Sequence, residues 1–318
     1  MTAATLNSSL SPTLKRRDKI GLGDLAWLVW RQHRVLIAVT SLAVLATAGL
    51  LWWDSTDLSH ASAYPLLTLT VVPAAAGVFA VFLGAPLLPA EYERGTHLVV
   101  WSQDVTPGRW LLAKVGLLGT WLIVLFAILG AADTTFIGRI NGDRIVSDQY
   151  GPWGFVGFES WIPLQIVYAL FGFALGLAVG ALIRRMVVSM VVTMVVFTVV
   201  RLAVGLWRPT FLAPLRYTVP PPSSAFDPPG VHALKIGYEH TVDVAGNQVP
   251  FPSTCYNDQT NMVNTACAKS HGLLASYVDY QPASRLPTFH WIEFGIYAVL
   301  AVALLSMTAI LVRKVRVR

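Results

Sequence analysis

Few residues in this 318-residue chain have the types and spacing that chemistry requires. His290 and Glu293 lie one helical turn apart beside Trp291, the nearest approach to an acid–base pair. Cys255 and Cys267, with eleven residues between them, are followed by His271. That C-x11-C-x3-H pattern admits a disulfide, two free thiols or a metal site, although a metal would lack a fourth ligand and a recognised zinc spacing. Arg201 stands alone in an apolar run. It either snorkels to an interface, with Glu293 as an ion-pair partner, or contacts a substrate. No G-x-x-x-x-G-K-[ST], H-E-x-x-H or G-x-S-x-G occurs, so nucleotide hydrolysis and the common hydrolytic chemistries have no residues to run on.

The elements that must position these residues are membrane spans. Hydrophobic residues make up 55% of the chain and charged residues 13%, with a mean hydropathy of +0.58, whereas a soluble domain carries about 25% charged residues. Six apolar runs are long enough to cross a hydrocarbon core of about 30 Å: 35–53, 64–90, 110–132, 161–183, 186–207 and 289–312. The fold expected is an all-α polytopic membrane protein of six transmembrane helices. The first run is too long and too far from the N-terminus for a signal peptide, despite Ala46-Thr47-Ala48.

Charge sets the orientation. With the N-terminus in the cytoplasm, fifteen of the 23 basic residues fall inside, Arg94, Arg109, Lys114, Arg184, Arg185, Arg313 and Lys314 among them. This obeys the positive-inside rule and puts both termini in the cytoplasm. The inner face carries about +10 and the outer loops about −4, so the net charge of +6 reflects topology and implies no nucleic-acid partner.

The segments between spans differ in kind. Residues 20–34 read either as an interfacial helix or as an N-terminal extension of the first span. The second run holds Pro65, Pro73, Pro86 and Pro89, which predicts a kinked helix packed inside the bundle. Gly172, Gly176 and Gly180 share one face of the fourth run and allow close helix packing, either within the chain or between two copies. The spans themselves read as almost free of ionisable groups, which predicts no ion relay. Residues 133–160 are expected as an outer loop, and 208–288 as an extracytoplasmic loop domain holding both cysteines. There a structural disulfide is favoured.

The most specific stretch is 89–114, PAEYERGTHLVVWSQDVTPGRWLLAK, a compact charged elbow between the second and third spans. Pro89 suits a helix start, with Glu91 and Glu93 in the first turn. The E-x-E-x-G-T at Glu91, Glu93, Gly95 and Thr96, the Pro-x-x-Trp at Pro107 and Trp110, and Lys114 opening the third span resemble the permease subunits of type-2 ATP-binding-cassette exporters. The opening LAWLVWRQHR at 25–34 resembles actinobacterial members.

That resemblance implies a permease with no ATPase of its own and no bound cofactor, with ATP and Mg on a separate ABC ATPase subunit. It implies a homodimer or heterodimer of permeases in the lipid bilayer of the cell membrane. It also assigns coupling to Glu91, Glu93, Arg94, Gly95 and Thr96. The organisation expected is thus a cytoplasmic N-terminus 1–34, spans one to five over 35–207 with the elbow at 89–109, the loop domain 208–288, span six over 289–312 and a basic tail 313–318. Two other classes remain open, a membrane-embedded enzyme using His290 and Glu293, and a signalling or assembly protein that binds through its outer loop.

Overall fold

A computed structural model of the chain describes residues 21–56, 66–94, 106–142, 149–219, 233–257 and 262–315. Six helices among them are long and apolar enough to cross a membrane: Gly23–Thr56, Leu67–Arg94, Pro107–Asn141, Ile162–Ile183, Met186–Thr210 and Ala283–Lys314. The protein is mostly helical. We number the helices α1 (Leu22–Thr56), α2 (Val72–Phe79), α3 (Pro89–Arg94), α4 (Pro107–Gly142), α5 (Phe155–Glu159), α6 (Ile162–Ile183), α7 (Met186–Trp207), α8 (Thr265–Ser270) and α9 (Leu286–Val315).

Residues 22–56 form one continuous helix, the extension among the two readings of the segment before span one, and Leu25 and Val29 are buried along it. The expected outer loop at 133–160 is corrected over 133–142, which belong to α4, because Ala132, Phe136, Ile137 and Ile140 are buried at helical spacing and carry the helix about three turns further.

The second span passes through the bundle with α2 between two π-helical stretches, Leu67–Val71 and Ala80–Gly84. Pro89 has no N–H to offer the Ala85 carbonyl four residues back, and Ser189 Oγ of α7 lies 3.3 Å from that oxygen while sitting nearer the Arg185 and Met186 carbonyls of its own helix, at 2.8 and 2.9 Å. Against this span lies the glycine face of α6. A Cβ on Gly176 would sit 2.5 Å from Ala85 N and 2.6 Å from Ala80 O, and one on Gly172 or Gly180 would meet the same span at 2.9 or 2.7 Å. The glycine stripe therefore packs within the chain.

The all-α expectation fails over 208–288. Strands β1 (Leu215–Val219), β2 (Leu234–Asp243), β3 (Gln248–Val249) and β6 (Leu273–Gln281) form an antiparallel sheet in the order β1-β6-β2-β3, and β4 (Tyr256–Asn257) pairs β5 (Met262–Val263). Strand β6 takes the centre, with Tyr277, Val278 and Tyr280 buried. Cys255 and Cys267 form a disulfide, and Asn264 caps α8 by accepting from Ala266 N and Cys267 N, both at 3.1 Å. The bundle thus has a sheet end and an opposite end carrying α3, the elbow end.

Gly176→Ala is expected to cost about 1–3 kcal/mol by overpacking. It should lower the thermal midpoint in detergent, whereas Gly116→Ala, whose Cβ would meet nothing within 4 Å, should leave it unchanged. In the sheet, Arg216 donates to Asp279 across β1 and β6 at 2.9 and 3.2 Å. That hydrogen bonding holds the Asp279 carboxyl below its ordinary range. Its stabilisation is complete above the unfolded carboxylate pKa and is lost as pH falls through the lowered folded value. Limited proteolysis of the 208–288 region should become easier on acidification, and Arg216→Ala should remove that part of the acid response.

Candidate functional site

At the elbow end the side chains of α3 tie three spans together. Glu91 pairs with Lys114 of α4, which is fully buried and also lies 4.3 Å from the Trp110 ring centroid. An ammonium enclosed among apolar helices needs such a counter-charge, since stranding it would cost several kcal/mol. Glu93 Oε1 accepts from Met186 N at 2.9 Å and so caps the N-terminus of α7, where the helix dipole favours an anion. Tyr92 packs its ring 5.6 Å from the guanidinium of Arg184, the residue with φ of 58° that turns α6 into α7. The short helix is therefore bonded to the ends of α4 and α7 and packed on the turn between α6 and α7.

The five residues assigned to coupling separate in role. Glu91 is turned inward to Lys114, Glu93 caps α7 while partly facing solvent, and Arg94 is exposed. Gly95 and Thr96 lie outside the described residues. Beside α3 a cavity of about 260 Å³ is lined by Gln32, His33, Pro86, Glu91 and Arg94, joining the elbow to α1.

The sheet end holds a cluster of which sequence reasoning anticipated only Arg201 and Glu293. Glu293 of α9 receives Arg208 Nε at 2.8 Å, Arg208 Nη2 at 3.1 Å and the Tyr168 hydroxyl at 2.6 Å. Glu159 of α5 pairs with Arg201 of α7 and lies 3.5 Å from Arg208 Nη2. Arg201 also stacks 3.6 Å from the Tyr168 centroid and reaches Glu293 at 3.8 Å. The partner expected for Arg201, Glu293, is thus its secondary one. Asp133 of α4, 1% exposed, accepts from Gln165 Nε2 at 2.7 Å nearby. The expectation of nearly uncharged spans is corrected, because Asp133 and Glu159, read as loop residues, fold into the bundle. Gly157 makes this possible for Glu159, since a Cβ there would fall 2.1 Å from Gly151 O.

His290 is stacked on Trp161 at 4.9 Å with an interplanar angle of 6° and does not touch the Glu293 pairings. Both residues are buried and engaged, an arrangement that positions helices and offers no open acid–base pair. Cys255 and Cys267 are consumed by their disulfide, with His271 close by.

Between span two and α7 an open groove of about 520 Å³ runs from apolar walls at Gly77, Val78, Met194 and Leu202 to Glu159, Arg201 and Arg208 at one end. The groove thus has an apolar length and a polar head.

Residues 54–208 match the model of the family described as ABC-2 membrane transporter related. The matched stretch runs from the end of α1 to Arg208 and contains the elbow, the glycine face and most of the charge cluster. That stretch is similar to an ABC-2-type membrane domain, and six helices long and apolar enough to cross a membrane describe a multi-pass membrane protein. No curated protein matches the chain.

Breaking one partner of the sheet-end cluster should be costly. Glu293→Gln leaves two guanidiniums facing one carboxylate and is expected to destabilise by about 3–5 kcal/mol. Arg208→Met combined with Glu293→Leu should cost well under the sum of the single changes. Thermal unfolding of the detergent-solubilised variants checks both.

Proposed function

We propose that this chain is the transmembrane subunit of an ABC exporter, with ATP hydrolysed by a separate ABC ATPase that docks at the elbow end. The observation that carries the reading is α3. It is a short helix bonded to α4 through Glu91 and to α7 through Glu93 while Arg94 stays exposed, so a push on it is shared by several spans. The basic bias of the elbow end supports a cytoplasmic location for that end and for both termini. The disulfide in 208–288 supports an oxidising, extracytoplasmic location for the sheet. Together these favour the cell membrane.

A second permease copy completes the transport path in this reading. The apolar face of α7 is exposed along Val187, Val191, Met194, Leu202 and Leu206, beside the groove between α7 and span two. Export proceeds by alternating access, with closure of the ATPase displacing α3 and re-aiming α7 against span two. The stacking of His290 on Trp161 and the bonding of Glu293 to Arg208 and Tyr168 favour this reading over a membrane-embedded enzyme.

The test is recovery of a P-loop ATPase with the chain purified from native membranes in mild detergent. Arg94→Glu should reduce that recovery about tenfold, the effect of roughly 1.4 kcal/mol at a charged contact. Arg139→Glu, exposed near the sheet-end terminus of α4, should not. Unchanged recovery with Arg94→Glu would remove the docking assignment, and absence of an ATPase from the wild-type preparation would remove the exporter reading.

A further inference from the structure

The charges buried at the sheet end do not balance. Among the described residues, Asp133, Glu159 and Glu293 are enclosed near two guanidiniums, Arg201 and Arg208, and Asp54 at the end of α1 is a further buried carboxylate. Glu159 and Glu293 use both guanidiniums, through the Arg201 pairing and the two-point contact from Arg208. Asp133 receives only a neutral amide, Gln165 Nε2. An ionised carboxylate at 1% exposure, held by one neutral donor, would carry a desolvation penalty that such a bond does not offset.

The surroundings add no further positive charge. Span two contributes Thr68, α6 contributes Gln165 and Tyr168, and the turn before α5 contributes Tyr150. From α9 come Tyr297 and His290, and the His290 ring is stacked on Trp161 with Nε2 buried and without an acceptor, the state of a neutral imidazole. Arg139 lies nearly two turns further along α4 and is exposed.

Two acceptors lack donors at this place. Asp133 Oδ1 and Gln165 Oε1 are both buried and unpartnered. Both residues line a small cavity of about 20 Å³ together with Thr68, Glu159, Tyr168 and Arg201. A space of that size holds about one water-sized occupant. Buried oxygen acceptors around a small void, in a cluster short of one positive charge, are the chemistry that binds a small cation.

We propose that Asp133, with Gln165 and Thr68, forms an intramembrane site for a single monovalent positive charge, taken either as a proton on the Asp133 carboxyl or as a sodium-sized ion between the oxygens. The site lies about one helical turn inside the sheet-end start of α6. It couples α4, α6 and span two, and its occupancy sets how tightly span two packs beside the groove. The proposal does not depend on an ATPase partner.

The full chain in lipid nanodiscs tests it. A proton on Asp133 gives a protonated-carboxyl infrared band at neutral pH that shifts on carbon-13 labelling of aspartate and is lost in Asp133→Asn. A bound sodium ion gives no such band, but raises the thermal midpoint in sodium chloride over choline chloride for the wild type and not for Asp133→Asn. Should Asp133→Asn fail to fold, Asp133→Glu serves instead, moving the band out of the aspartate-labelled set or altering the sodium response. Either positive pattern supports the site and identifies the ion. Absence of both the band and the sodium dependence in the wild type would overturn it.

Discussion

An ion enclosed by apolar helices must find a counter-ion within the protein, and this constraint fixes both ends of the bundle. At one end Lys114 is held by Glu91; at the other Arg201 and Arg208 are held by Glu159 and Glu293. These pairs join elements that the chain visits far apart. The sheet-end pairs bring α5, α7 and α9 together around Tyr168 of α6, and they sit where the chain leaves the bundle to form the sheet and where it returns. Gln281 and Arg285 then seat the base of the sheet by donating to the Leu212 and Ala213 carbonyls at 2.7 Å.

Between these fixed ends the packing is close but not rigid in kind. The second span crosses the bundle through two π-helical stretches, and the glycine face of α6 lets its backbone approach within contact distance. Such a span has fewer regular helical bonds to lose when it shifts. It also forms one wall of the groove whose other wall is α7, the helix that Glu93 caps from the elbow. In the proposed cycle a displacement of α3 would therefore be passed to both sides of the groove, through its continuity with span two and the Glu93 cap on α7.

The six spans were legible in the sequence because apolar runs of about 20 residues carry a strong signal, and the elbow because its acids and prolines interrupt that signal sharply. Asp133 and Glu159 were not. Each lies just outside an apolar run, and hydropathy places a carboxylate in the loop whenever its partner is distant in sequence, as Gln165 and Arg201 are. The sheet was hidden for a different reason: short strands among turn formers leave a weak period-two pattern, and β6 acquires its burial from β1 and β2 rather than from its own composition. The Cys255 and Cys267 spacing left three readings open, and only the folded chain brings the two sulfurs together.

The central claim is that events at the elbow move the walls of the groove. Spin labels at Val78 on span two and Leu202 on α7, both exposed and both lining the groove, report the separation directly. Measured by pulsed electron resonance on the ATPase-bound complex in nanodiscs, the distance distribution is expected to shift when ATP is added and to return after hydrolysis. An unchanged distribution in a complex that is hydrolysing ATP would contradict the account.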